Sequence, residues 1–174
     1  LNDLLLGTAA KNKSVLSNPI DKATRFFVTG GVGCIGRELI SQLLDCGATH
    51  LSIFDNCIEQ KKLLVNSISP KHRKNIRVAL GDVSSASDLK QAVSVANPNC
   101  VLHLAALKHV DLAEQDPYRT YKVNVEGTFN LLKATVGVRH FMLMSTDKAV
   151  FPAGLMGATK RMAELAVMLY AERH

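Results

Sequence analysis

The strongest constraint on the fold is a set of three glycines, three residues apart, between an apolar run and a helical pattern. Gly30, Gly33 and Gly36 follow the β-rich run RFFVT and precede a segment, 35–44, whose apolar residues recur at helical spacing. Because glycine has no Cβ, the chain turns tightly from a strand into a helix at such a site. The sequence therefore predicts a strand, a glycine turn and a helix.

This turn also suits an anionic ligand. Backbone amides without neighbouring Cβ atoms approach a pyrophosphate closely, and the N-terminus of the following helix directs its positive dipole end at the negative charge. Asp55 ends the next predicted strand, 19 residues after Gly36, where a carboxylate accepts hydrogen bonds from ribose hydroxyls. The alternative is a structural turn with an incidental aspartate. NAD and NADP both stay open as cofactors, since Asp55 repels a 2′-phosphate but Lys61 and Lys62 offset that repulsion.

Strand and helix patterns alternate along the rest of the chain. The later predicted strands are 50–54, 76–80, 100–104 and 141–145, and the later predicted helices are 58–68, 86–96, 118–136 and 155–173. Ser87 and Asp88 are typical of a helix start, whereas Gly47 and Gly137 are typical of a helix end. Strands joined by helices form right-handed crossovers and a parallel sheet covered on both faces. The predicted fold is a doubly wound α/β sheet of the Rossmann type with five strands.

Composition is that of one globular domain. The 174 residues are 47% hydrophobic and 21% charged, which excludes disordered, collagen-like and coiled-coil chains. The longest apolar stretches are far shorter than the ~20 residues of a membrane-spanning helix, and no secretory signal is recognisable. Residues 1–24 lose their periodicity before Pro19 and are predicted to be a linker or N-terminal extension, with the dinucleotide-binding domain over 25–174.

Charge and cysteine usage exclude two other kinds of partner. The net charge is +6, but the basic residues are scattered and are not interleaved with aromatic residues, so no nucleic-acid partner is predicted. A solvated surface and attraction of an anionic nucleotide are the two interpretations of this charge. The four cysteines form no CxxC pair and lie near no histidine cluster, so neither a metal site nor a disulfide framework is predicted. Reduced thiols indicate a cytoplasmic location.

Two further strand ends fit the same ligand. Asp82 and Val83 follow the third predicted strand, where a carboxylate and a backbone N–H would contact an adenine ring. Ala105 and Ala106 follow the fourth strand, and their small side chains let a cofactor pass closely. Each pair alone is compatible with an ordinary turn. Together they predict a ligand crevice at the carboxyl ends of the strands. The cofactor residues predicted from the turn and the strand ends are Gly30, Gly33, Cys34, Ile35, Gly36, Asp55, Asp82, Val83, Ala105 and Ala106.

A polar cluster, Ser145-Thr146-Asp147-Lys148, follows the fifth strand, and Met156 and Lys160 lie one turn apart on the last predicted helix. Here the sequence resembles the extended short-chain dehydrogenase/reductase superfamily, whose signature is Tyr-x-x-x-Lys preceded by Ser or Thr. Met156 occupies the Tyr position. The runs 103–128 and 145–164 resemble the bacterial polysaccharide-biosynthesis branch of nucleotide-sugar 4,6-dehydratases, whose long, membrane-associated members carry Met there. Asp3-Leu4-Leu5 resembles the linker of those long proteins.

The resemblance implies a substrate and a reaction. The substrate is a UDP-N-acetylhexosamine, typically UDP-N-acetylglucosamine, and the product is a UDP-4-keto-6-deoxy sugar. A bound NAD or NADP takes a hydride from C4, water is lost across C5 and C6, and the hydride returns to C6. The resemblance also implies a homo-oligomer built on helices 118–136 and 155–173. The expected location is the cytoplasm, at the cytoplasmic face of the inner membrane if the chain is part of a longer protein.

Site roles are carried over from the resemblance by position. Lys160 would bind the nicotinamide ribose and lower the pKa of the proton acceptor. Asp147 would be the general acid for the C6 hydroxyl, Lys148 the base for the C5 proton, and Thr146 would hold the sugar. A buried carboxylic acid beside an amine would have its pKa moved toward neutrality. The alternative for Asp147 and Lys148 is a surface ion pair.

Lys108 and Asn124 match recurrent positions of the family. Lys108 would lie near the substrate, and Asn124 would support the site from its helix. Their alternative interpretation is a surface lysine and an ordinary helix asparagine. His103 and His109 are predicted to be packing or turn residues rather than catalysts.

Two departures from the family keep other functions open. Phe151-Pro152-Ala153-Gly154 replaces polar residues expected near the sugar, and the sequence stops near the end of the Lys160 helix, before a substrate subdomain. The alternatives to a dehydratase are a dinucleotide-binding module without catalysis and a sugar-nucleotide epimerase or reductase. A thioether at Met156 cannot act as a general base, which disfavours the common epimerase mechanism.

Overall fold

A parallel five-stranded sheet organises residues 20–173, the part of the chain that the computed structural model describes. The strands are β1 (Arg25–Thr29), β2 (His50–Asp55), β3 (Ile76–Leu80), β4 (Cys100–His103) and β5 (His140–Leu143). The helices are α1 (Cys34–Asp45), α2 (Ile58–Ser67), α3 (Ala86–Ala96), α4 (Val110–Gln115), α5 (Pro117–Tyr121), α6 (Gly127–Ala134) and α7 (Leu155–Arg173), with 3₁₀ turns at Pro70–Asn75 and Asp147–Ala149 and a π-helical segment at Lys122–Glu126.

The strand order β3-β2-β1-β4-β5 reverses direction between β1 and β4. In a doubly wound sheet such a reversal opens a crevice at the carboxyl ends of the two strands, because the helices after them cover opposite faces. The glycine turn follows β1, and Ala105 follows β4, so both flank this crevice. The order and the parallel pairing confirm the predicted fold class. The predicted linker lies mostly outside the described residues, and its boundary at residue 24 stays a prediction.

Alternating side chains of β1 supply both faces of the core. Phe26 and Val28 pack with Leu39, Ile40 and the other buried residues of α1 on one face. Phe27 packs with a second cluster on the other face, where Leu89 of α3 and Leu131 of α6 are fully buried. A strand that is buried on both faces is typical of a parallel sheet between two helical layers.

The predicted helix over 118–136 is interrupted, which corrects the sequence interpretation. Asp116 caps α5 by accepting from the Arg119 amide at 3.0 Å, the π-helical segment follows, and α6 ends at Ala134. Gly137 and Gly47 have φ of +79° and +92°, so the predicted helix ends are confirmed.

Smaller differences concern the ends of elements. The fifth strand ends at Leu143 rather than 145, because its partner β4 ends at the paired His103. The cap of α3 is Ser85, whose hydroxyl accepts from the Asp88 amide, and not Ser87. Helix α4 and the two 3₁₀ turns were not predicted, because segments of three to six residues carry no readable periodicity.

Candidate functional site

The glycine turn is shaped by contacts within the chain at two of its three glycines. Gly30 has a φ of +69°, and a Cβ there would lie 2.6 Å from the Ala105 nitrogen. A Cβ on Gly36 would lie 2.6 Å from the Gly30 oxygen. These two positions require glycine for the chain to bring β1, α1 and the end of β4 together.

Gly33 is different, because a Cβ at this position would meet only the Gly30 oxygen, at 3.4 Å. Gly33 is exposed and precedes α1 with no side chain bonded to the helix end. The first N–H groups of a helix have no partner inside it, and together with the helix dipole they form an anion-binding site. The room at Gly33 therefore lies at the place where a phosphate group would bind.

Asp55 braces the glycine turn. One carboxylate oxygen accepts from the Val32 amide at 3.1 Å, and the other accepts from the Cys57 amide at 3.1 Å. This contact fixes the end of β2 against the turn after β1. Each oxygen keeps a further lone pair for a ligand hydroxyl.

A cavity of about 370 Å³ lies at this end of the sheet. It is lined by every residue that the turn and the strand ends predict: Gly30, Gly33, Cys34, Ile35, Gly36, Asp55, Asp82, Val83, Ala105 and Ala106. Lys108 lines it too, whereas the other predicted residues, Asn124, Thr146, Asp147, Lys148, Met156 and Lys160, do not. The structure thus gathers the predicted cofactor residues in one crevice and leaves the predicted catalytic residues outside this cavity.

Three polar residues of the cavity were not predicted: Arg37, Gln60 and Arg119. Arg37 follows the last glycine of the turn, so its place in the first turn of α1 was a signal for it. Arg119 reaches the cavity from α5, which no sequence pattern indicated. The two arginines and Lys108 add positive charge around a site that suits an anion.

Thr146, Asp147 and Lys148 form an exposed cluster after β5. The Thr146 hydroxyl donates to the Asp147 carboxylate at 2.9 Å, and the Lys148 ammonium lies 3.9 Å from the same oxygen. The Asp147 side chain is 90% exposed, so the expected burial of this acid is wrong. The Thr146 hydrogen bond and the Lys148 charge lower the pKa of Asp147 rather than raise it. The pair has the geometry of a surface ion pair.

Met156 and Lys160 are buried together on α7. Met156 is 4% and Lys160 5% exposed, one helical turn apart. Within residues 20–173 no hydrogen bond or ion pair engages the Lys160 ammonium. Burial lowers the pKa of Lys160 to about 8, although the Glu164 charge opposes that change. A buried ammonium without a partner is costly, so this side chain is prepared for a ligand or a counterion.

Asn124 connects the crevice to α7. Its oxygen accepts from the Leu107 amide at 2.8 Å, and its amide nitrogen donates to the Leu107 carbonyl and to the Thr159 hydroxyl, both at 3.0 Å. Asn124 is 1% exposed, so the expected contact with the substrate is corrected while the supporting role agrees with the structure. The residue lies in the π-helical segment, a distortion that is frequent near functional sites.

His103 is a packing residue, as predicted. Its ring nitrogens lie 2.6 Å from the Thr29 hydroxyl and 3.1 Å from the Thr128 hydroxyl. Burial and the nearby Lys160 charge lower the pKa of His103 to about 3, so it is neutral. The side chain ties β1, β4 and α6 together behind the crevice.

Within the described range 20–173, no helix is both long and apolar enough to cross a membrane. The same residues contain no group of three or more His, Cys, Asp or Glu side chains placed to hold a metal ion.

Comparison with known proteins gives close matches of the same kind. The UDP-N-acetylglucosamine 4,6-dehydratase (inverting) of Campylobacter jejuni is 34% identical over 76% of this chain and 39% of its own length. The UDP-glucose 4-epimerase of Rickettsia rickettsii is 31% identical over 83% of this chain and 42% of its own. An uncharacterized membrane protein of Methanocaldococcus jannaschii is 38% identical over 82% of this chain and 42% of its own. The chain thus spans well under half the length of these relatives.

A solved structure agrees with the sequence matches. The crystal structure of DesIV, a dTDP-glucose 4,6-dehydratase from Streptomyces venezuelae with NAD and TYD bound, superposes with a TM-score of 0.75 at 25% identity, over 86% of this chain and 52% of that one. The family model described as polysaccharide biosynthesis protein matches residues 26–174. The chain therefore belongs to the polysaccharide biosynthesis protein family, whose relatives include nucleotide-sugar dehydratases and epimerases.

Proposed function

We propose that this protein takes part in the dehydration of a UDP-N-acetylhexosamine, UDP-N-acetylglucosamine first among them, to a UDP-4-keto-6-deoxy sugar. The observation that carries this proposal is the single crevice that holds the glycine turn, Asp55 and the ends of β3 and β4. The dehydratase from Campylobacter jejuni supports the choice of substrate. The cytoplasmic location, the homo-oligomer and the division of the chain at residue 24 stay predictions.

The residues of the crevice fit NAD or NADP. The room at Gly33 and the free helix end of α1 suit the pyrophosphate, and Asp55 suits the adenosine ribose. The nicotinamide end would then extend toward β4 and β5, where Lys160 has no partner among the described residues. When bound, the cofactor supplies the hydride acceptor for C4 of the sugar and the hydride donor for C6.

The chain's own residues supply the proton chemistry in this proposal. Lys160 places a positive charge beside the nicotinamide ribose, Asp147 donates a proton to the leaving C6 hydroxyl, and Lys148 takes the proton from C5. Asp147 is ionised and exposed without substrate, so the sugar must cover it before it can act as an acid. Exclusion of water around a carboxylate raises its pKa, which moves Asp147 in the required direction.

A dinucleotide-binding module without catalysis is the second candidate. The exposed Asp147 and the thioether of Met156 favour it, because neither is prepared for proton transfer in this conformation. An epimerase is favoured less, since the usual proton acceptor is absent at position 156.

The decisive experiment incubates the protein, expressed from its complete reading frame, with UDP-N-acetylglucosamine and follows sugar-nucleotide mass. We expect a product lighter by one water. Asp147→Asn should reduce turnover by roughly a hundredfold or more, since it removes the proposed acid. Asp45→Asn, an exposed acid at the end of α1, is the matched control and should be fully active.

Intact substrate recovered while NAD or NADP stays bound would favour the binding module over the dehydratase. A fully active Asp147→Asn variant would remove Asp147 from the acid role.

A further inference from the structure

The Glu164 carboxylate lies one helical turn beyond Lys160 on α7, where that helix packs near the end of β5. The Ser145 hydroxyl donates to one oxygen at 2.5 Å, and the Arg161 guanidinium donates to the other at 2.9 Å. The Glu164 side chain is 25% exposed. Both oxygens are therefore held, and the carboxylate is fixed in place with one side toward the buried Lys160.

Glu164 is also the carboxylate that acts on Lys160. The burial that lowers the pKa of Lys160 is opposed by the Glu164 charge, and the Lys160 charge in turn contributes to a lowered pKa of Glu164. Ser145 and Arg161 lower the pKa of Glu164 further, so it is ionised at neutral pH. Lys160 has no other anionic neighbour of this kind.

The charged groups on the elements around Lys160 were compared with Glu164. None engages Lys160 in a hydrogen bond or ion pair in the part of the chain that the structure describes. They are His103 of β4, which is neutral, Asp111 and Glu114 of α4, Arg119 of α5, Lys122 and Glu126, which pair with each other, Lys133 of α6, and Asp147 and Lys148, which lie together on the surface.

We propose that Glu164 is the positioning residue for the Lys160 ammonium: it holds Lys160 in its charged form and ties the Lys160 helix to the strand end that carries Thr146 to Lys148. The inference rests on the proposed function, in which Lys160 contacts the nicotinamide ribose. Glu164 touches neither substrate nor cofactor in this assignment and acts through Lys160. The sequence signal for it was the Lys-to-Glu spacing of four residues on one helix face.

Two variants separate the charge from the tie. Glu164→Gln keeps an oxygen that accepts from Ser145 but removes the charge, and Ser145→Ala removes the tie but keeps the charge. The readout is the side-chain nitrogen shift of Lys160 in ¹⁵N-labelled protein across pH, assigned with Lys160→Arg. Glu172→Gln, which removes an exposed charge near the end of the same helix, is the control.

We expect Glu164→Gln to lower the Lys160 titration midpoint by about one pH unit, since an opposite charge has been removed. Ser145→Ala and Glu172→Gln should leave the midpoint within about 0.2 unit of the parent protein, well inside the effect of a nearby charge. Arg161→Gln, at an exposed position, should raise the midpoint, because it removes a neighbouring positive charge. An unchanged midpoint in both Glu164→Gln and Arg161→Gln would overturn the inference.

A second readout links this residue to the proposed function. The affinity for NADH, followed across pH, should decline at a pH about one unit lower in Glu164→Gln than in the parent protein, in step with the Lys160 titration. If the parent protein binds no dinucleotide at any pH, the proposed function fails, and the nitrogen titration still decides the role of Glu164.

Discussion

Buried polar side chains form one connected network behind the crevice. The Thr29 hydroxyl accepts from the Ala105 amide at 3.3 Å, which leaves its proton for the His103 ring. The other ring nitrogen then donates to Thr128, whose hydroxyl donates to the Asn124 carbonyl at 2.7 Å. This order of donors assigns the neutral form of His103 with its proton on Nε2. Strand ends, π-helical segment and α7 are thereby held in one arrangement.

Lys160 should reduce stability at neutral pH. Its pKa is about 8 in the folded chain and 10.5 as an ordinary lysine, so burial of the charge costs about 3 kcal/mol below pH 8. The unfolded chain binds more protons between pH 8 and 10.5, and this residue's contribution to stability therefore rises with pH in that window.

Lys160→Met is expected to raise the free energy of unfolding at pH 7 by about 3 kcal/mol, with the difference vanishing above pH 10.5. Urea unfolding at both pH values measures it. Lys133→Met, at an exposed position of α6, should change stability by less than about 0.5 kcal/mol. Equal effects of the two substitutions would show that Lys160 is not the costly charge.

Sequence patterns predicted the residues whose role depends on the backbone. Gly30 and Asp55 were found because a turn and a strand end fix where they lie. The exposure of Asp147 and the contact between Ser145 and Glu164 depend on how α7 packs against β5, which no local pattern records. The expected burial of Asp147 was wrong for that reason.

Among the elements, α7 depends on a single glycine for its approach to the exposed Thr146–Lys148 cluster. A Cβ on Gly157 would collide with the Lys148 carbonyl oxygen and would lie 3.4 Å from the Pro152 Cα. Backbone atoms do not yield as a flexible side chain does. Gly157 therefore sets the distance between the helix of Lys160 and the loop of Asp147.

Gly157→Ala should lower the rate of dehydration roughly tenfold to a hundredfold, because it displaces the proposed acid and base relative to Lys160. Dinucleotide affinity should not change, since the crevice lies elsewhere. Steady-state kinetics and a binding titration measure the two effects. Gly154→Ala is the control, because its Cβ would meet the flexible Glu114 carboxylate at 3.0 Å. Loss of dinucleotide binding in Gly157→Ala would contradict this separation of the two sites.

Periodicity predicted the helices that cover the sheet and missed the irregular ones. Helices α1 and α3 have the stripe of buried residues that marks an amphipathic helix. The π-helical segment keeps apolar residues on the core side but adds a residue to one turn, so its sequence reads as ordinary helix. Tertiary hydrogen bonds of Asn124 rather than local preference accompany this irregularity.

At the scale of the whole molecule, the sheet order alone determines where a ligand can bind. The reversal between β1 and β4 places the glycine turn beside Ala105, and the cavity opens there. Alternation of strands and helices in the sequence was sufficient to predict this arrangement. The substrate was not predictable in the same way, since the chain spans about half of the DesIV chain it superposes on.

Binding of NAD at a concentration near 100 times its Kd should stabilise the chain by about 2.7 kcal/mol and raise its Tm by roughly 5 to 10 °C. NADP should give a smaller shift, because Asp55 repels a 2′-phosphate. Differential scanning fluorimetry measures both. In Gly33→Ala the Tm without ligand should stay the same, since the added methyl has room, while the NAD-dependent shift should fall. No shift with either dinucleotide would contradict the assigned crevice.

The π-helical segment makes the length of this part of the gene as important as its wording. Deleting one codon within Lys122–Glu126 would let the run close into a continuous α-helix, and everything after it would rotate by about 100°. Thr128 would leave His103, and Leu131 would leave the core. Natural variants are therefore expected to exchange the exposed residues of this segment while keeping its number of codons.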